Sequence, residues 1–179
     1  MRPQRPASDP SDLAERFRLR MLPHLDAAHR FARFLARDLH AAEEIVQEGY
    51  LRAYRAFATY RGEADRAWLF AILRNCWRDR ARNGGPALEP IDMYEIADDW
   101  TPEALLQRQC TIASVRDAIA ALPLAFREVI VLRELDELPY RDIAALVDVP
   151  IGTVMSRLAR GRQLLAALLR ASQFEEPGR

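Results

Sequence analysis

The chain contains no lysine: all 26 of its basic residues are arginine, set against 26 acids for a formal net charge of zero over 179 residues. A uniformly basic surface is therefore excluded, and any nucleic-acid-binding face must come from how the arginines are distributed. Arginine brings planar, forked donors suited to phosphates and guanines. Cysteine is nearly absent as well. Cys76 and Cys110 stand far apart without a CxxC partner, which argues against a disulfide framework and fits a reducing cytoplasm. No apolar run approaches the ~18 residues of a membrane span, and the opening MRPQRPASDPSD lacks the apolar core of a signal peptide, so a soluble, cytoplasmic chain is expected. His24, His29 and His40 form no ligand pair at i, i+4, and no nucleophile–base set or glycine-rich loop appears. No metal, cofactor or catalytic residue is expected, and the chain does not read as an enzyme.

What is present is helical. Half of the residues are hydrophobic and only 8% are aromatic, with Ala and Leu abundant, which favours helix over sheet. The reading is all-α: two small helical domains joined by an acidic flexible linker, the second containing a helix-turn-helix. Residues 1–12 read as a disordered lead-in. Behind the apparent N-cap pair Ser11-Asp12, an apolar stripe of Leu13, Phe17, Met21, Leu25, Ala28, Ala32, Leu35 and Leu39 recurs at helical steps, broken near Pro23. Helices are expected over about 41–57, with Val46, Tyr50, Ala53 and Phe57 on one face, and over about 65–82, closing a first domain at 13–83. Residues 84–101 read as linker, with one short turn near Met93–Ala97. A second domain at 102–171 would hold helices near 102–121, 124–135, 139–147 and 151–171, and 172–179 would be a tail. Charge follows this division. Eight arginines face three acids between Arg52 and Arg82, six acids and no base lie between Asn83 and Gln107, and four arginines and no acid lie between Ile151 and Phe174.

The segment from Tyr140 to Arg162 reads as a helix-turn-helix. Asp148-Val149-Pro150 joins two helices so closely that they must cross steeply, exposing the second to a major groove. Asp148 tolerates the left-handed turn conformation, though glycine would do so at less cost. On the second helix, Thr153, Ser156, Arg157 and Arg160 share a polar face, while Val154, Leu158, Gly161 and Leu165 fall roughly 120° away. Hydroxyls and guanidiniums there suit phosphate contacts and guanine readout, with a bidentate pair worth ~1–3 kcal/mol of discrimination.

In the first domain, acids at the start of the second helix are explained either by the helix dipole or by a docking face for a basic partner. The third helix interleaves aromatics with arginines, and Asn75, Arg78 and Arg82 share one face. That is the composition for stacking and holding single-stranded DNA, although Trp68 and Trp77 are equally explained as core.

These segments, in this order, resemble a bacterial sigma factor of the extracytoplasmic-function class, the compact members of the sigma-70 family, over roughly residues 13–170. Ala42 to Glu48 with Leu51-Arg52-Ala53-Tyr54 resembles the motif that docks the clamp helices of the polymerase's largest subunit. Trp68 to Asn75 resembles the helix that reads the −10 element. Leu122-Pro123, Arg127-Glu128-Val129 and Ile151 to Arg160 resemble the −35-reading domain. The resemblance implies polymerase-core binding by Glu43, Glu44, Gln47, Glu48, Leu51 and Arg52. It implies −10 contacts by Tyr60, Arg61, Trp68, Asn75, Arg78 and Arg82, and −35 contacts by Arg141, Thr153, Ser156, Arg157 and Arg160. RNA polymerase core (clamp helices and the flap of the second subunit), promoter DNA and an anti-sigma factor are the implied partners, and the acidic linker would follow the polymerase's active-site and RNA-exit path. Ala41 stands where the family usually has Asp, a lost cap or polymerase contact; Asp148 replaces the usual turn glycine, and Gly49 weakens the docking helix. The loop from Tyr60 to Asp65 is where family members select −10 bases. Two other readings use the same residues: a sigma mimic that sequesters an anti-sigma protein, and a stand-alone transcription regulator. The first needs no arginine faces; the second needs no docking helix.

Overall fold

A computed structural model describes residues 10–36, 38–62, 64–82 and 115–173, and among them every regular element is helical. Helix α1 (Pro10–Met21) leads through a 3-10 turn (Leu22–His24) into α2 (Leu25–Ala36). Then come α3 (Leu39–Ala56), a 3-10 turn (Phe57–Thr59) and α4 (Asp65–Arg82). The second unit holds α5 (Val115–Ala121), α6 (Leu124–Ile130) extended by a π turn (Val131–Leu135), α7 (Tyr140–Val147) and α8 (Ile151–Gln173). The acidic linker, its anticipated turn near Met93–Ala97, Cys110 and the first part of the helix anticipated from 102 lie outside the described residues.

Local chemistry explains the boundaries and corrects two of them. Helix α1 starts at Pro10, so Ser11 and Asp12 sit inside its first turn rather than at the cap; proline suits the opening of a helix because its missing N–H would be unpaired there anyway. Pro23 falls in the 3-10 turn that separates α1 from α2. Helix α3 is capped by Asp38, whose extended backbone places Oδ1 2.7 Å from the donating Ala41 amide. The cap that Ala41 was expected to lack is thus supplied three residues earlier. Of the anticipated apolar stripe, Met21, Ala28, Ala32 and Leu35 are buried, but Leu25 and Leu39 are 36% and 58% exposed because each opens a new helix at the surface.

In the first unit α2, α3 and α4 pack around Phe31 and Phe70, whose rings stack at 4.8 Å. Full burial of such a side chain contributes ~1.5–3 kcal/mol. Phe57 joins Phe17 edge-on at 5.2 Å and closes the end of the bundle. Gly49 has its reason in this packing: a Cβ there would lie 2.4 Å from Leu73 Cδ2, so the Leu73 side chain of α4 occupies the space that a side chain at 49 would enter. In the second unit Val129, Ile130, Leu132, Ile143, Val154 and Leu158 form the core.

The two units pack directly on each other. Arg74 of α4, 2% exposed, donates to both carboxylate oxygens of Glu128 on α6 (2.8 and 3.3 Å) and to the Leu146 carbonyl of α7 (3.3 Å). Arg30 of α2 pairs with the buried Asp136, and Arg66 of α4 donates to the Asp136 carbonyl at 2.6 Å. Arg74 therefore leaves the basic surface to which its sequence neighbours assigned it: its charge is spent inside an interface.

Candidate nucleic-acid and partner interface

Three surfaces carry the residues singled out in the sequence. The first is α3. Glu43, Gln47 and Leu51 are exposed, Glu44, Glu48 and Arg52 half-buried, and Leu51 and Tyr54 add apolar area to the same exposed side. Val46, Ala53 and Phe57 are buried and Tyr50 half-buried on the opposite side. Several of the acids are already engaged within the chain. Arg52 bridges Glu48 (2.7 Å) and Asp79 of α4 (2.6 Å), and Arg80 pairs with Glu44. This lattice fixes the angle between α3 and α4, and leaves Glu43, Gln47 and Leu51 as the open part of the face.

The second surface is the start of α4 with the loop before it. Tyr60 and Trp68 stack at 4.3 Å with their planes 21° apart, and both are half-buried. The Tyr60 hydroxyl donates to Asp65 Oδ1 at 2.7 Å and accepts from the Ala64 amide at 3.1 Å. Burial first, then the bond to Asp65, push its pKa up to about 12. Arg61, Asn75 and Arg82 are exposed and Arg78 half-buried. Trp77 is 8% exposed and belongs to the core, so only Trp68 of the two tryptophans keeps part of its ring at the surface. Beside this loop lies a hollow lined by His24 together with Arg20, Gly62, Asp65 and Arg66. Burial, and secondarily the Arg66 charge, hold its pKa below the usual imidazole value, with Asp65 acting against them.

The third surface is the helix-turn-helix. Helix α7 ends at Val147, and Asp148 takes the left-handed conformation (φ 59°, ψ 52°). The Val149 amide then donates back to the Ala144 carbonyl (3.1 Å), while Thr153 and Val154 donate to the Pro150 carbonyl (2.9 and 3.1 Å). One carbonyl closes the first helix and one opens the second, which fixes the crossing with only three intervening residues. Val154 and Leu158 are almost fully buried, Gly161 is buried and Leu165 half-buried; Ser156 and Arg141 are exposed, and Thr153, Arg157 and Arg160 half-buried. The angular sorting of α8 therefore holds in three dimensions. Arg157 lies beside the Arg74–Glu128 pair: burial holds its pKa down, Glu128 opposes that, and Arg74 adds to it.

Sequence reasoning missed Arg74 and Arg20. A signal for Arg74 existed, since it lies on the stripe of Phe70, Leu73 and Trp77, and an arginine on an apolar stripe calls for a buried partner. Arg20 carries no such mark.

Models of sigma-70 region 2 and sigma-70 region 4 match residues 21–85 and 112–165. The chain is 35% identical over 147 residues to the ECF RNA polymerase sigma factor SigE of Mycolicibacterium smegmatis, covering 79% of this chain and 57% of that protein. It is 32% identical over 152 residues to the RNA polymerase sigma-H factor of Pseudomonas aeruginosa, covering 76% and 79%. Among solved structures, the sigma factor RpoE bound to the anti-sigma factor NepR from Bartonella quintana superposes with a TM-score of 0.66 at 27% identity, over 87% of this chain and 98% of that one. CnrH, solved with the cytosolic domain of CnrY, has a TM-score of 0.62 at 24% identity over 92% and 91%, a likeness of fold.

Proposed function

Because this chain belongs to the extracytoplasmic-function group of the sigma-70 family, we propose that it binds RNA polymerase core and directs promoter-specific initiation through two separate DNA-reading faces. The unit at 13–83 holds the polymerase clamp helices through Glu43, Glu44, Gln47, Glu48, Leu51 and Arg52. It captures −10 bases with Tyr60, Arg61, Trp68, Asn75, Arg78 and Arg82. The unit at 102–171 reads the −35 duplex with Arg141, Thr153, Ser156, Arg157 and Arg160 and meets the polymerase flap, and the acidic segment 84–101 joins the two. Catalysis belongs to the polymerase, the chain works in the cytoplasm, and an anti-sigma factor regulates it.

The observation that carries this reading is the presence on one chain of an open acidic and apolar face on α3, an aromatic stack at the start of α4 with Asn75 and Arg78 farther along the same helix, and an α8 whose hydroxyls and guanidiniums face away from its core. A lone DNA-binding regulator would use the last of these and leave the others without a role. Likeness to a sigma factor crystallised with its anti-sigma factor supports the regulatory partner. None of the described helices is long and apolar enough to cross a membrane.

The packed arrangement adds a requirement. Elements at −10 and −35 lie about 25 base pairs apart, about 85 Å at ~3.4 Å per base pair, whereas α4 and α7 touch through Arg74. Reading both elements at once requires the units to separate.

Run-off transcription with core polymerase on libraries randomised at each element tests the proposal. Arg157→Ala or Arg160→Ala should weaken −35 preference, each lost bidentate contact being worth ~1–3 kcal/mol, and Asn75→Ala should relax −10 preference. Absence of initiation on every template would overturn the reading.

A further inference from the structure

The loop at 60–65 is clamped from outside by one side chain. Arg20, in the last turn of α1, donates through Nε to Asp65 Oδ2 (3.0 Å) and through Nη2 to Asp65 Oδ1 (2.7 Å) and the Gly62 carbonyl (2.8 Å). Its guanidinium lies 5.4 Å from the centre of the Tyr60 ring. Tyr60 in turn donates to the same Asp65 oxygen and stacks on Trp68. One guanidinium thus holds Tyr60, Gly62 and Asp65 together, and its bond to Asp65 spans 45 residues of the chain. Gly62 completes the fit. Its φ is +82°, and a Cβ there would stand 2.2 Å from Arg20 Nη1, so a side chain at this place would strain the backbone and push the guanidinium aside.

The bonds of Arg20 reach out of α1 to the loop and the start of α4. Arg20 is only partly exposed, it lies just before the matched span of region 2, and its neighbour Arg18 spends its charge within its own helix on Glu15 at 2.7 Å. A bidentate, charge-assisted pair has a fixed direction as well as strength, and a cation above a tyrosine face fixes the ring's tilt. The group so oriented is the half-buried Tyr60–Trp68 stack, made of the kind of ring on which unstacked bases are held.

We infer that Arg20 is a positioning residue for −10 base capture: it touches no base, but sets the loop and the Tyr60 ring against which the unstacked base is held. This rests on the −10 reading given above. Without the clamp the loop samples more conformers, and strand capture requires ordering it again.

The experiment uses holoenzyme reconstituted from core polymerase and full-length chain, with templates that wild type selects from libraries randomised at −10 and −35. Arg20→Gln, Arg20→Lys and the control Arg18→Gln are compared for base preference at each element, for core affinity, and for melting followed by a 2-aminopurine placed in the −10 strand. Expected for Arg20→Gln is a roughly tenfold or greater loss of melting with flattened −10 preference, while −35 preference and core affinity stay at wild type. Arg20→Lys, a point charge without the fork, should recover part of the loss, and Arg18→Gln should show none. Wild-type −10 preference and melting in Arg20→Gln would overturn the inference. So would a parallel fall of −10 preference, −35 preference and unfolding midpoint, which marks a merely structural residue. If wild type itself discriminates no base at −10, the −10 reading fails first and the inference fails with it.

Discussion

Gly49 disfavours α3 by ~1 kcal/mol relative to alanine, yet its missing Cβ is what lets Leu73 of α4 lie against the helix. Leu73 is fully buried, so overpacking of ~1–3 kcal/mol should outweigh the propensity gain. Gly49→Ala is expected to lower the urea midpoint by an amount equivalent to about 1–2 kcal/mol; an increase would show that Leu73 relaxes. His24 carries the second prediction at this scale. Its pKa is held below 6.5 by burial and by Arg66, with Asp65 opposing. Arg20 also lines the hollow, as do Asp136, Glu137 and Asp142 of the second unit. A depressed folded-state pKa favours the neutral ring, so stability is fully present above about 6.5 and is lost as pH falls through the folded value. Urea midpoints measured across that window should decline, and His24→Gln should flatten the slope. If the slope survives the substitution, another group is titrating.

Among the elements, the helix boundaries turn on two aspartates. Asp38 caps α3, so Asp38→Ala should cost ~1 kcal/mol and speed amide exchange at Ala41 and Ala42; unchanged exchange would mean the turn holds without its cap. Asp148 sits in the left-handed region that closes α7, and Asp148→Gly should raise stability by up to ~1 kcal/mol with −35 preference intact. The element pattern was largely legible in the sequence, because helical periodicity, Pro23, Pro123 and the Asp148–Pro150 turn are local signals. The two faces of α8 were legible for the same reason. What escaped depended on distant partners. The pairing of Arg74 with Glu128 spans 54 residues and that of Arg20 with Asp65 spans 45, and neither spacing leaves a periodic trace. The cap of α3, expected to be lost at Ala41, lies three residues earlier at Asp38.

For the whole molecule, the decisive contact is the ion pair buried between the two units. Removing one partner of such a pair strands a charge and costs ~3–5 kcal/mol, whereas replacing both with apolar residues is often neutral. In the separated form either partner regains water. Glu128→Gln should therefore shift the free chain toward separation, seen as a larger radius of gyration in solution scattering and tighter binding of −35 duplex without polymerase. The pair Arg74→Met with Glu128→Leu should restore compactness. An unchanged radius for Glu128→Gln would show that Arg30–Asp136 and the apolar contacts suffice to hold the units together.

That buried pair also couples ligands that never meet. If only the separated form reads both promoter elements, the apparent affinity of promoter DNA is reduced by the fraction of chains that are open. Polymerase core that selects the same open form removes this reduction in advance. Linkage then demands the converse: promoter DNA must tighten core binding by the same factor by which core tightens DNA binding. Measuring both arms of that cycle, in wild type and in Glu128→Gln, reads how far the salt bridge makes initiation a cooperative event, with cooperativity expected to shrink in the variant.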